Sequence, residues 1–178
     1  QQMTHDLYRA MEAAGVSLTT TEKLSLAEQA FTRGMAVEAE SVLKPMFESG
    51  EVGGEEDRDR TRNQRLYDGI KEGADADRAG GLDASLAEAE AASTGVIYTA
   101  IGEAHIGLGQ YDKAAELIQK GIDKGGLKPD ELAMAKLHKG IAQYKAGNTS
   151  AARSTWGEVD ASNGAEELAR NWTLISRK

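Results

Sequence analysis

Three histidines, His5, His105 and His138, are the side chains best suited to proton transfer or metal ligation at neutral pH. None has a second histidine four residues away, and there is no His-Glu-x-x-His run, so the paired imidazoles that one helix face would offer a zinc ion are missing. His105 and His138 stand 33 residues apart, a spacing that suits two neighbouring helices but brings no clustered third ligand. They read as histidines in the place of packing aromatics. With no cysteine in the chain, thiol nucleophiles, thiolate metal sites and disulfides are excluded. Gly107 and Gly109 resemble a phosphate loop only in composition. Neither Gly-x-x-x-x-Gly-Lys-Ser/Thr nor Gly-x-Gly-x-x-Gly is present, and no strand precedes them. The 29 acidic residues show no spacing that singles out a catalytic pair. No catalytic residue, cofactor site or metal site is assigned, and the chain is read as a non-enzyme.

The elements that would position any working surface follow from an internal echo. From Val96 to Leu127, Tyr98, Ile101, Gly102 and His105 fall at intervals of 3, 1 and 3; Gly109 breaks the helix, and Ala114 and Ile118 follow four apart. From Met134 to Val159 the same intervals recur as Lys136, Lys139, Gly140 and Gln143, then Gly147, Ala152 and Trp156. Each copy is two helices joined at a glycine, and the turn glycines are 38 residues apart. Such a period, with small residues where two helices must touch, indicates a helix–turn–helix array.

On these residues the chain resembles the tetratricopeptide repeat (TPR) family. Gly102 and Gly140 occupy the family's small position in the first helix, Ala114 and Ala152 that of the second, and Ile118 and Trp156 the large apolar position four later. Lys136 and Lys139 depart from the family's aromatic and leucine. A lysine stem can lie along an apolar surface with its ammonium in water, whereas the close approach at glycine and alanine admits nothing larger. The resemblance implies an all-α, TPR-like right-handed superhelix of antiparallel helical hairpins with a C-terminal capping helix. It looks like the repeat regions of larger bacterial proteins; the compartment stays unknown, with a soluble chain of the bacterial cytoplasm or periplasm as the expectation.

In chain order, residues 2–15 read as a partial repeat, the second helix of a hairpin whose first is missing. Met3, Leu7, Ala10, Met11 and Ala14 form its apolar face, Gly15 ends it, and that face is expected to be uncovered or covered by another molecule. Thr19 and Glu22 make a capping box that starts a helix. Leu26, Ala27 and Ala30 lead to the turn at Gly34, with Ala39 and Leu43 beyond, so a repeat spans about 19–50, its second helix crowded by Pro45. Residues 55–93 are expected to hold a degenerate repeat. The charge run Glu55 to Arg62 would open a solvated helix, with acids such as Glu56 four before bases such as Arg60. Leu66, Tyr67 and Ile70 would carry that helix to a turn at Gly73, Arg78 would replace the expected alanine, and a second helix would run over about Leu82 to Ser93. Its alanine-rich content promises little core, which makes it the expected loosest element. Repeats at about 95–127 and 129–160 are the two clear copies. Asn163 and Glu166 cap a last helix over about 163–176, whose stripe of Ala165, Leu168, Ala169, Trp172 and Ile175 covers the final apolar face. Trp172 is then the plug of this lid and Trp156 a core residue.

At 178 residues the chain suits one or two ordinary domains, and a repeat array would make it a single solenoid over 1–178. Lys plus Arg is 21 against 29 acids, a net charge of −8 that repels phosphate backbones, so nucleic acid is not an expected partner. The longest uncharged stretch, Ala91 to Gly102, is far short of the roughly 20 apolar residues of a membrane span. Gln1 in place of methionine, with no basic-then-apolar leader, suggests a fragment or a processed chain.

In the resembled family the first helices line the concave face and contact the ligand. Carried over, the partner-binding groove comprises Glu28 and Phe31, then Asn63, Tyr67 and Ile70, then Thr99, Glu103 and Ile106, and in the last repeat Tyr144 beside Leu137 and Ile141. Intervals of 3 and 4 put each set on one helix face. Aromatic and acidic residues together suit a protein or peptide segment of basic character. Leu137 and Ile141 suit packing between helices equally well. A family subtype that grips a peptide's terminal carboxylate uses lysine, arginine and asparagine. Leu24, Thr99, Ala100 and Leu137 stand near the equivalent places, so a chaperone-tail receptor is disfavoured. The expected function is a protein–protein interaction scaffold. The alternatives are a self-assembling structural scaffold, a homo-oligomer pairing through its open N-terminal face, and a non-catalytic regulatory region of a larger enzyme.

Overall fold

A helix can turn back on itself within three residues only if one of them leaves the right-handed region, and glycine does so without steric penalty. The computed structural model, which describes residues 2–160 and 164–177 (for Gln2, the backbone only), places this device at Gly34, Gly109 and Gly147, with φ of 77°, 71° and 87°. Each turn is built alike. The residue after the glycine donates its amide to the carbonyl five residues back: Met35 to Ala30 at 2.9 Å, Gln110 to His105 at 3.0 Å and Asn148 to Gln143 at 2.8 Å. The described residues are entirely helical apart from turns and loops, so the chain is all-α.

By its internal contacts the chain divides into two compact units at 81/82. In the first, α1 (Gln2–Ala13) packs on α2 (Thr20–Thr32), and α3 (Ala36–Glu48) packs against both α2 and α4 (Arg60–Arg78). The expected capping box opens α2: the Thr19 amide donates to Glu22 Oε2 at 2.8 Å, and the Glu22 amide to Thr19 Oγ1 at 3.4 Å. Pro45 lies inside α3, which runs through it to Glu48.

The hidden repeat departs from expectation. Residues 55–59 lie outside any helix, and α4 begins only at Arg60. Asp57 explains the late start. Its carboxylate accepts from the Gly53 amide at 2.8 Å, the Asp59 amide at 2.9 Å and Asn63 Nδ2 at 2.9 Å, which ties the loop into a closed knot. These hydrogen bonds, that from Gly53 foremost, hold the carboxyl below its usual range. At the other end Gly73 is no turn. It is helical, and α4 continues to Arg78, with the positive φ at Gly80 (95°). Gly73 serves as a crossing point instead: a β-carbon there would lie 3.0 Å from Ala36 Cβ and 3.3 Å from Phe31 Cε2. Arg78, where alanine was expected, pairs with Glu40.

A short helix, α5 (Gly81–Ala84), stands at the division. The second unit holds α6 (Leu86–Ala91), α7 (Val96–Gly107), α8 (Tyr111–Lys124), α9 (Pro129–Lys145), α10 (Thr149–Gly157) and α11 (Ala165–Ile175). The single delayed helix expected over 82–93 is thus two short ones, anchored where Leu82, Leu86 and Ala89 meet Tyr98, Ile101 and Leu117. From α7 onward each helix packs on the next, and α11 also rests on α9. Ile106, Ala114, Ile118, Ala135 and Ala142 form the core between α7, α8 and α9; each fully buried isoleucine or leucine contributes about 1.5–3 kcal/mol.

The crossings are as close as the spacing requires. A β-carbon on Gly102 would meet Ile118 Cγ1 at 2.6 Å, and one on Gly140 would meet Trp156 Nε1 at 2.2 Å. Ala39, Ala114 and Ala152 are fully buried, and Leu43, Ile118 and Trp156 fill the core four residues later. Lys136 and Lys139 are half-buried along their stems. The Lys136 ammonium reaches the Glu158 carbonyl at 3.2 Å, and that of Lys139 reaches Gln119. The closing helix α11 buries Ala165, Leu168, Ala169, Trp172 and Ile175, all five residues of the expected stripe. The cap expected from Asn163 lies outside the described residues.

Candidate functional site

On α2, the Glu28 carboxylate pairs with Arg62 of α4, and the Phe31 ring lies against α4, 3.6 Å from where a β-carbon on Gly69 would be. On α4 the stripe turns toward the neighbouring helices. Asn63 and Ile70 are buried, and Tyr67 stacks on Phe47 of α3 with ring centroids 4.3 Å apart. In the second unit Thr99 and Ile106 are buried, Thr99 with its hydroxyl donating to the Val96 carbonyl at 2.8 Å. Glu103 accepts from His138 Nδ1 at 2.7 Å. Tyr144 sits at the edge of an aromatic cluster, 6.1 Å from Trp156 and 6.0 Å from Trp172, with Leu137 and Ile141 fully buried beside it.

The nine groove residues therefore fall into two sets. Asn63, Ile70, Thr99 and Ile106 are enclosed by neighbouring helices and present nothing to a partner. This corrects their placement on an open face. The physical reason is that intervals of 3 and 4 mark a helix face but do not say whether that face looks at solvent or at the next helix. Glu28, Phe31, Tyr67, Glu103 and Tyr144 are half-buried and retain accessible surface.

His105 and His138 do stand on successive first helices, α7 and α9, and each is buried and hydrogen-bonded. His105 Nδ1 contacts Gln110 Oε1 at 2.8 Å, and Asp83 approaches its Nε2 at 3.8 Å. Burial foremost, then the Lys113 charge, lowers the His105 pKa and keeps the ring neutral. Among the described residues no group of three or more acidic, histidine or cysteine side chains is arranged to hold a metal ion.

The third histidine belongs to a cluster that periodicity did not reveal. The inward side of α1 is mostly polar: His5, Asp6 and Arg9 are buried, and of the apolar face only Ala10 is buried with them, whereas Leu7 is 43% exposed and Met3 and Met11 are half-buried. Arg9 Nε donates to Glu38 Oε1 of α3 at 2.6 Å, its other nitrogens also reaching Glu38 Oε2, and Asp6 at 3.4 Å. Arg33, at the end of α2, contacts His5 Nδ1 at 2.7 Å and Asp6 Oδ2 at 3.6 Å. A guanidinium only donates, so His5 Nδ1 must accept. The ring proton is then on Nε2, facing Glu38 Oε1 at 3.4 Å. A neutral imidazole is what burial also demands, and the His5 pKa is lowered chiefly by that burial. Burial would raise the Glu38 carboxyl, but the Arg9 charge and the hydrogen bonds from His5 and Arg9 outweigh it and hold it far below the carboxylate range.

Among the described residues two guanidiniums, Arg9 and Arg33, face two carboxylates, Asp6 and Glu38, with His5 neutral between them. The cluster's chemistry is that of a clamp: it fastens α1 to the α2–α3 hairpin by charge-assisted hydrogen bonds rather than by apolar contact. The signal in the sequence was His5, Asp6 and Arg9 at helical spacing opposite the apolar stripe, with Arg33 and Glu38 flanking Gly34.

No helix among the described residues is long and apolar enough to cross a membrane. Comparison with family models, with curated proteins and with solved structures finds no match to this chain.

Proposed function

We propose that this chain is a tetratricopeptide-like interaction module that binds a basic peptide or protein segment. The observation that carries the reading is the recurrence of one hairpin three times. Gly34, Gly109 and Gly147 close the same hydrogen-bonded turn, and a small residue seven positions earlier, Ala27, Gly102 or Gly140, is buried in each. An array of this kind places its first helices side by side, and the accessible members of the predicted stripe are aromatic or acidic: Phe31, Tyr67 and Tyr144 with Glu28 and Glu103. Aromatic rings beside carboxylates favour lysine- or arginine-bearing segments through cation–π and ion-pair contacts.

The test is a panel of capped peptides in which lysines alternate with apolar residues, matched by acidic counterparts, titrated onto the chain and onto Glu28→Lys and Glu103→Gln variants of unchanged circular dichroism. Preferential binding of basic peptides, weakened about tenfold by one of the substitutions, supports the reading. Equal binding of both peptide sets, or affinity indifferent to both substitutions, rules it out.

A second reading is favoured by the outer side of α1, where Leu7 is exposed between the half-buried Met3 and Met11. An accessible apolar stripe of this kind suits self-assembly of the scaffold.

A further inference from the structure

A groove lies between α10 and α11. It encloses about 460 Å³ and has an apolar floor of Trp156, Val159 and Leu174 with three arginines, Arg153, Arg170 and Arg177, around it. Leu174 is 59% exposed, the highest value among the large apolar side chains of the described residues. Among the described residues Glu166 is the one carboxylate in the lining, against three arginines, on a chain of net charge −8.

The three arginines are not equivalent. Arg153 is tied to the end of α11, with Nε donating to Ser176 Oγ at 2.8 Å and another nitrogen to the Ser176 carbonyl. It braces the wall. Arg170 makes an exposed pair with Glu166 one turn back on the same helix, a contact that costs little to exchange. Arg177 makes no ion pair among the described residues.

We propose that this groove is a docking site for an acidic peptide segment in which apolar residues are flanked by aspartate or glutamate. The apolar side chain would lie on Leu174, Val159 and the edge of Trp156, and the carboxylates would meet the guanidiniums of Arg170 and Arg177. Guanidinium suits this role because its planar fork takes a carboxylate bidentately. The overall negative charge does not oppose it: at physiological salt, charges beyond about 8 Å are screened, so a peptide in the groove responds to the arginines around it. The site shares none of the nine stripe residues, and its partner has the opposite charge to the one proposed for them.

Both tryptophans of the chain, Trp156 and Trp172, belong to this part of the molecule, so intrinsic fluorescence reports occupancy directly. The probe is the capped peptide Asp-Glu-Leu-Leu-Glu-Asp, with Lys-Lys-Leu-Leu-Lys-Lys and free glutamate as comparison arms, titrated onto the whole chain. The proposal expects saturable binding of the acidic peptide alone, weakened about tenfold in an Arg170→Glu, Arg177→Glu double variant and severalfold on raising salt. Both side chains are exposed, and unchanged circular dichroism, with Arg177→Gln as the milder variant, keeps a folding defect apart from a binding defect. Three results overturn it: no saturable change at millimolar acidic peptide, equal binding of the basic peptide or of free glutamate, or undiminished binding by the charge-reversed variant.

Discussion

The same substitution, glycine to alanine inside a helix, should act with opposite sign at Gly140 and Gly69. An added methyl favours the helical state by about 1 kcal/mol through helix propensity at either position. What differs is the space around it. At Gly140 the new β-carbon would lie 2.2 Å from Trp156 Nε1 and 2.5 Å from its Cδ1, so the indole must retreat by more than about 1 Å to reach ordinary contact. Trp156 is 3% exposed, donates its N–H to the Leu137 carbonyl at 3.1 Å and stacks on Trp172 with centroids 5.9 Å apart. Overpacking costs about 1–3 kcal/mol and the displaced hydrogen bond about 1 kcal/mol, which outweighs the propensity gain. Gly140→Ala should therefore be less stable by about 1–3 kcal/mol. At Gly69 the nearest atoms are in the Phe31 ring at 3.6 and 3.7 Å, ordinary contact distances, so Gly69→Ala should gain about 0.4–1 kcal/mol. Urea unfolding followed by tryptophan fluorescence reports the region of Trp156 and Trp172, and far-ultraviolet circular dichroism reports the helices of the whole chain. A Gly140→Ala chain as stable as the parent, or a Gly69→Ala chain that loses as much as Gly140→Ala, would refute the close crossing as the reason for glycine at 140.

Acid should loosen α1 before the rest of the first unit. His5 and Glu38 both have lowered pKa values in the folded chain, so the unfolded chain binds the extra protons and stability falls with pH. The loss should begin as pH falls through about 6.5 for His5 and continue below about 4.5 for Glu38, while Glu38→Gln, which removes one of the two carboxylates on Arg9 and leaves Asp6, should cost about 1–3 kcal/mol and flatten the acid limb. Hydrogen exchange of α1 amides against pH reads this out, and pH-independent protection would exclude the clamp. If the outer stripe of α1 pairs two copies, sedimentation should show mass rising with concentration for the parent and not for Leu7→Lys. A monomer at every concentration removes the self-assembly reading.

Much of the architecture was legible in the sequence because it depends on local rules. Helix ends and turns are set within a few residues: a glycine at the turn, a hydroxyl and carboxylate at Thr19 and Glu22, an apolar stripe from Ala165 to Ile175. The small residues Gly102, Gly140, Ala114 and Ala152 declared the crossings, since only a close approach of backbones explains them twice at the same interval. The fate of Gly73 was not legible, because glycine can turn a chain or admit a neighbouring helix, and only the packing of Ala36 and Phe31 against it chose the second.

The candidate surface divided along the same line. The periodicity of residues 63, 67 and 70 determined that they share a face, but tertiary structure decided that Asn63 and Ile70 are buried and that Tyr67 lies on Phe47 of α3. On α1 the apolar stripe was the obvious inward side, yet of its five residues only Ala10 is fully buried, and the polar residues His5, Asp6 and Arg9 fill the rest of the inward side. Five charged or polar groups drawn from three helices neutralise one another there, and a balance of charge between distant residues leaves no period in the sequence. Sequence by itself determined the hairpin turns at Gly34, Gly109 and Gly147 and the close crossings at Gly102 and Gly140. Only the tertiary structure decided which faces are left open, because exposure depends on every neighbour at once.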